Sequence, residues 1–144
     1  MSTDNPPGRH IAAALAHLAG LDATAAQIAD AAATTWLGID AALAPIIGQR
    51  GVAALYKRSL HLNRPAYPYL AQAFESVQAT LDITPLKAVL GHQTAGEAAA
   101  VGGATLQTFH ELLTHLIGDS LAERLLRSVW ATFLSGETAR DIST

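Results

Sequence analysis

The sequence predicts an all-α protein, and three observations support that prediction. Half of the 144 residues are hydrophobic and only 15% are charged, so the chain is able to bury a core. Alanine and leucine, which favour helices, dominate over the β-branched and aromatic residues that strands prefer. Apolar residues recur at alternating spacings of three and four, as on one face of a helix. The length suits a single hydrophobic core.

Composition excludes several classes of function. A net charge of −3 argues against nucleic-acid binding, since such proteins usually carry a basic surplus. The absence of cysteine removes disulfides, thiolate metal sites and cysteine catalysis. No apolar run approaches the length of a membrane span, and no signal peptide is visible, so we expect a cytoplasmic protein. We expect no cofactor and no metal, because His110 and His115 miss the His-Glu-x-x-His spacing by one position.

The N-terminal third is predicted to contain two helices. Residues 1–8 are polar and proline-rich, which favours a flexible arm ahead of one helical domain over 9–144. Residues 9–47 are predicted to form a short apolar helix followed by a long one, and Asp22 is the predicted N-cap of the long helix. Pro45 should kink or end that helix, because proline lacks the backbone donor. A homodimer is one hypothesis for burying its second face.

Four principal helices are predicted over residues 50–135, as an up-and-down bundle beside which the helices of 9–47 pack as an addition. Turn and N-cap signals separate these helices. Gly48 with Gly51 indicates one turn, and Asn63 indicates the end of the next helix. Pro65 or Pro68 begins a helix with buried residues to Leu81, and later helices begin at Thr84–Pro85 and at Ser120 with Glu123. Thr94 and Glu97 also have the capping-box spacing, but they compete with a helix continuous from Thr84.

Two stretches about 70 residues apart look alike. Each ends a long apolar helix with isoleucine and glycine, and each continues into another helix, as in Leu43…Ile47-Gly48…Leu55 and Leu113…Ile117-Gly118…Leu125. A duplication explains this likeness. The sequence favours the other explanation, in which a helix–glycine–helix turn is simply a common way to reverse a chain.

A glycine-rich segment over residues 86–113 contains the candidate site. Each glycine in a helix costs up to about 1 kcal/mol relative to alanine, which suggests that something approaches the backbone. His92 and Gly96 are four residues apart, so on one helix they would share a face with Ala95 and Ala99 close by. An imidazole among such small side chains would be accessible to another protein. The alternative is that the small residues only let two helices pack closely.

This segment resembles the histidine-containing phosphotransfer (HPt) domain of bacterial phosphorelays. The family motif has the form His-x-x-Lys-Gly, followed by small residues, a glycine and a leucine. The residues in register with it are His92, Gly96, Ala98, Ala99, Val101, Gly102 and Leu106. The resemblance extends over roughly two-thirds of the chain and leaves residues 1–44 outside.

The resemblance implies a four-helix bundle in which His92 accepts a phosphoryl group from a receiver-domain aspartate and passes it on. It also implies a receiver domain or a histidine kinase as the partner, with Gly96 clearing space beside the imidazole. Ala95 stands where the family has lysine, and that lysine would help to hold the phosphoryl charge. The replacement of lysine by Ala95 puts phosphoryl transfer by His92 in doubt. The resemblance therefore implies docking, either with or without phosphotransfer, and we do not expect enzymatic turnover.

A run of cations marks a second surface. Between residues 41 and 74 the only charged residues are Arg50, Lys57, Arg58 and Arg64. Such a basic surface would steer an acidic partner such as a receiver domain. A solvated face that pairs with the acidic N-terminal helices is the alternative.

We therefore expect a phosphorelay-type adaptor that docks through the His92 face and the basic run. The predicted docking residues are Ala95, Gly96, Ala99, Arg50, Lys57, Arg58 and Arg64. A helical regulatory module, which binds a small ligand or a partner helix without phosphotransfer, is the alternative. Neither nucleic acid nor membrane is an expected partner.

Overall fold

The computed structural model describes residues 22–129, and it shows only helices and the loops between them in that range. The helices are α1 (Ala25–Ile47), α2 (Gln49–Asn63), a 3₁₀-helix (Pro68–Leu70), α3 (Ala71–Ser76), α4 (Thr84–Gly91), α5 (Ala95–Ile117) and α6 (119–129). The predicted all-α class is confirmed. The arm over 1–8, the short helix that follows it and the predicted end of the last helix lie outside the described residues.

The long helix α1 begins two residues later than the sequence indicated, because its N-cap is Thr24 and not Asp22. Thr24 is its N-cap: the Thr24 hydroxyl accepts from the Gln27 amide at 3.1 Å, and the Gln27 side chain accepts from the Thr24 amide at 2.8 Å. This reciprocal capping box satisfies two backbone donors at once. Asp22, the predicted N-cap, instead adopts a φ of +65°, which aspartate tolerates in turns. Pro45 lies inside the last turn of α1, which ends two residues beyond it.

Helix α1 supplies much of the core, so it is not an addition to a bundle formed by the later helices. It packs against α2, α4 and α5. Its fully buried large side chains are Ile28, Trp36, Ile39 and Leu43. They meet Val52, Tyr56 and Leu60 of α2, Leu86 and Leu90 of α4, and Leu106, Phe109 and Leu113 of α5 in one cluster. The apolar face of α1 is thus buried within the chain. Dimerisation remains a prediction, and a measurement of the molecular mass in solution would test it.

The segment after α2 differs from the predicted fourth helix. Residues 68–76 form a 3₁₀-helix followed by the short α3, and the chain from Val77 to Ile83 is non-helical. Val77 and Leu81 still pack against the core, but from loop backbone. Helix α4 then begins at Thr84, where the Asp82 carboxylate accepts from the Thr84 amide at 3.0 Å. Hydrophobic spacing alone did not distinguish this arrangement from a continuous helix.

Two segments of the described chain, residues 24–59 and 94–129, repeat each other at a separation of 70 positions. Thr24 and Thr94 cap the two long helices, and each accepts a hydrogen bond from the amide three residues on. Gly48 and Gly118 end these helices with φ/ψ of 84°/156° and 90°/158°. Buried positions also correspond, for example Ile28 with Ala98, Trp36 with Leu106, Leu43 with Leu113, and Tyr56 with Leu126. The caps, turns and core positions therefore favour the duplication over a chance likeness.

None of the helices within residues 22–129 combines the length and the apolar character needed to cross a membrane.

Candidate functional site

His92 lies at the end of a helix and not in the middle of one. Helix α4 ends at Gly91 with His92 as its C-cap, and α5 begins at Ala95 with Thr94 as its N-cap. The Thr94 hydroxyl accepts from the Glu97 amide at 3.1 Å, so the capping signal at Thr94 is genuine. The expectation that His92 and Gly96 share one helix face is wrong, because the chain changes direction between them.

The imidazole of His92 is exposed and has a defined orientation. Its Nδ1 lies 2.7 Å from the carbonyl oxygen of Ala88, one turn earlier in α4. A carbonyl oxygen only accepts, so Nδ1 carries the proton and the lone pair of the neutral ring lies on Nε2. His115 in α5 is also exposed and makes the same bond to the Glu111 carbonyl at 2.8 Å. This geometry alone does not distinguish His92 from His115.

The small residues near His92 divide between surface and core. Gly96 is exposed, and a Cβ added to it would meet nothing within 4 Å. Ala95 is half-buried and packs against the core. Ala99 is only 4% exposed, because it faces the interior one turn into α5. Ala99 therefore cannot contact a partner, and its place among the docking residues was wrong.

Within residues 22–129, the lysine closest to His92 in sequence is paired elsewhere. Lys87, the nearest lysine in sequence, forms an ion pair with Asp30 of α1 at 2.7 Å, which ties α4 to α1. Ala95 offers no charge where the HPt motif has lysine. The geometry gives His92 access and a free ring nitrogen, but it supplies no group for a phosphoryl charge within the described residues.

Two cations of the basic run, Lys57 and Arg64, lie beside Phe74 of α3. Lys57 Nζ and Arg64 Cζ each lie 5.0 Å from the centre of the Phe74 ring, within the range of cation–π attraction. The His61 ring lies 5.5 Å from the same centre. Lys57, His61 and Arg64 are spaced by four and three residues, so they share one side of α2. We call these three residues, with Phe74, the basic–aromatic face.

The cations of this region have no acidic partner. Arg50, Lys57, Arg58 and Arg64 form no ion pair with any carboxylate of residues 22–129. Glu75 follows Phe74 in sequence, and it does not pair with them either. The alternative in which the acidic N-terminal helices neutralise this surface finds no support within the described part of the chain, where Asp30 pairs with a lysine of α4 instead.

An open cleft adjoins the basic–aromatic face, between the end of α2 and the 3₁₀-helix. Its volume is about 470 Å³, and its lining residues are His61, Leu62, Arg64, Pro65 and Pro68. Leu62 is 45% exposed, which is unusual for a leucine at a concave site. The sequence predicted the cations but not the cleft. A sequence signal for the cleft was the pair of prolines, Pro65 and Pro68, directly after the basic run.

The segment that carries the cleft is fastened at both ends to α5. The Asn63 side chain donates to the Thr108 hydroxyl at 3.0 Å. The Tyr69 hydroxyl makes a short hydrogen bond to the Glu97 carboxylate, and burial together with this bond raises the pKa of Tyr69. Glu97 thus holds the 3₁₀-helix and does not close a capping box with Thr94. These bonds tether the segment that carries the cleft to α5.

Two buried polar groups lie away from both surfaces. Burial lowers the pKa of His110, while Asp119, Glu111 and Glu123 oppose that shift. Burial also raises the pKa of the Tyr56 hydroxyl, with a smaller contribution from the charge of Asp82. Both groups are therefore held neutral in the core near neutral pH. Among residues 22–129 no three histidine, aspartate or glutamate side chains group as a metal ion would require.

Comparison with known proteins gave no further information on the site. No family model matches the chain, and no curated protein and no solved structure was found to match it.

Proposed function

We propose that the protein is a helical docking module that binds an acidic protein partner through the basic–aromatic face. The observation that supports it most directly is that Lys57 and Arg64 of this face have no acidic partner within the described residues, and neither have Arg50 and Arg58 of the same basic run. Charges left without internal partners contribute little to folding, but they attract an oppositely charged surface and orient it.

The aromatic ring adds a second reason. The charged ends of Lys57 and Arg64 lie over the Phe74 ring, which limits the conformations that a partner would otherwise have to fix. Aromatic and arginine side chains are the residues that most often dominate protein interfaces. The corresponding positions of α6 are less basic: Ser120 and Ser128 stand where α2 has Arg50 and Arg58. Helix α2 is thus the more basic of the two equivalent helices, although Arg127 keeps a positive charge at the position of Lys57.

A receiver domain is the partner class that this proposal names, because its phosphorylation site is a cluster of acidic residues. The test is titration calorimetry of the full chain against a panel of purified receiver domains, at low and high salt. We expect binding that weakens as salt rises. The double variant Lys57→Glu/Arg64→Glu should weaken it by about tenfold or more, which corresponds to at least about 1.4 kcal/mol.

A matched control is available in the other repeat. Arg124 and Arg127 lie exposed on α6, and Arg127 occupies the position equivalent to Lys57. The variant Arg124→Glu/Arg127→Glu makes the same change in net charge, and it should leave the affinity within about twofold. Equal losses in both double variants would mean that only overall charge matters. Absence of binding to every receiver domain would contradict the proposed partner class.

Phosphoryl transfer by His92, within the HPt-like bundle that the resemblance implies, is the second candidate. Its support is the hydrogen bond from Nδ1 to Ala88, which leaves the exposed Nε2 with its lone pair. Attack by Nε2 on the phosphorus of a phosphoramidate or of an aspartyl phosphate would form an N–P bond and release ammonia or the aspartate carboxylate. The ring needs no other base, because Nε2 carries no proton.

Phosphoramidate labelling tests this candidate with His115 as the control. If His92 is a phospho-acceptor, intact mass should show one rapid, acid-labile addition that His92→Ala abolishes and His115→Ala does not change. Both histidines are exposed, and each makes the same Nδ1 bond to a backbone carbonyl. If labelling is slow and each variant reduces it by the same amount, the labelling reflects only the reactivity of surface histidines. That result would leave the docking function without phosphotransfer.

A further inference from the structure

The cleft beside the basic–aromatic face has no role in the charge attraction described above. Leu62, Pro65 and Pro68 give it apolar walls, while His61 and Arg64 stand at the same opening. Purely electrostatic docking needs no such concavity. A volume of about 470 Å³ is within the range of about 300–1,000 Å³ that is usual for ligand pockets, so one large side chain could enter it.

We propose that the cleft receives an aromatic or large apolar side chain that is flanked by acidic residues in the partner. This inference rests on the proposed docking function and names the segment of the partner that would bind. The flanking acidic residues are required by Arg64, which borders the cleft, and by Lys57 beside it on the basic–aromatic face, because an apolar segment alone would leave both without counter-charges. Buried anchors of this kind, surrounded by polar contacts, usually carry most of the affinity of an interface.

The cleft is suited to an anchor because it exists before binding. Two prolines fix φ in its wall, and the 3₁₀-helix that contains Pro68 is held by the bond between Tyr69 and Glu97. Asn63, next to Leu62, is fixed by its bond to Thr108 of α5. A rigid wall lowers the conformational entropy that the protein loses when the anchor binds. Leu62, 45% exposed, would be covered by the entering side chain.

Two labelled peptides test the inference with the full chain. One contains a single tryptophan between runs of aspartate and glutamate, and the other has alanine in its place. Fluorescence polarisation should show about five- to tenfold tighter binding of the tryptophan peptide. Leu62→Ser should remove that preference. Leu116→Ser, at a leucine that is 61% exposed on α5, should leave it unchanged.

The outcomes separate this inference from the proposed function. Equal affinity for the two peptides, still reduced by Lys57→Glu/Arg64→Glu, would overturn the anchor and leave acidic docking intact. Binding of neither peptide would also overturn the anchor, and the receiver-domain titration then decides the docking function independently. Loss of the preference in both Leu62→Ser and Leu116→Ser would place the anchor outside the cleft and so contradict the inference.

Discussion

Replacement of Trp36 by alanine is expected to lower the free energy of unfolding by roughly 3–5 kcal/mol, the usual cost of emptying a large aromatic site. Trp36 is fully buried. Its ring meets Tyr56 of α2 edge-on at 4.9 Å and 73°, and Phe109 of α5 at 5.0 Å and 90°. The indole therefore joins three helices, and its loss leaves a cavity that none of them closes alone.

Denaturant titration followed by circular dichroism measures this loss, and the neighbouring residue provides the control. Leu37 is 54% exposed on the other side of α1, so Leu37→Ala should change the free energy of unfolding by no more than about 0.5 kcal/mol. Trp36→Phe should cost less than Trp36→Ala, because a ring remains and the indole nitrogen has no hydrogen-bond partner to lose. Equal losses at positions 36 and 37 would contradict the burial pattern.

The sequence predicted those parts of the fold that depend on local periodicity. The spacing of three and four placed Ile28, Ala32, Trp36, Ile39, Leu43 and Ile46 on one apolar face of α1, and all but Ile46, which is 56% exposed, are buried. The break at His92 was harder to predict, because residues 84–113 are compatible with one helix. The spacing of Thr94 and Glu97 was a sequence signal for it, and the C-cap at His92 with the N-cap at Thr94 shows that the chain turns there.

The candidate site shows the same division between local and tertiary information. The cations were found because charge is visible in sequence, but their convergence required Phe74. A helix continuous to Leu81 would have carried Phe74 along a different path, whereas the 3₁₀-helix and short α3 bring it beside Lys57 and Arg64. Ala99 was assigned to the surface because a helix face can be read from spacing, but the side of the helix that meets the core cannot.

The repeat leads to a second prediction of large effect, at the two turns that end the long helices. Gly48→Ala and Gly118→Ala should each lower the free energy of unfolding by about 1–3 kcal/mol, since φ of 84° and 90° with ψ near 157° is a conformation almost restricted to glycine. A Cβ at either position would meet nothing within 4 Å, so the loss would come from backbone strain and not from a clash.

Gly96→Ala is the matched control for this pair. Gly96 also has open space around it, but it has no positive φ and lies in the first turn of α5, so alanine should stabilise the protein by up to about 1 kcal/mol. Thermal and denaturant unfolding of the three variants would compare them directly. Similar losses at Gly48 and Gly118, with a gain at Gly96, are expected if the two turns are equivalent parts of a duplicated unit. If only one of the two variants lowered the free energy of unfolding, turns of similar backbone geometry would differ in their contribution to stability. That result would weaken the case for a duplication.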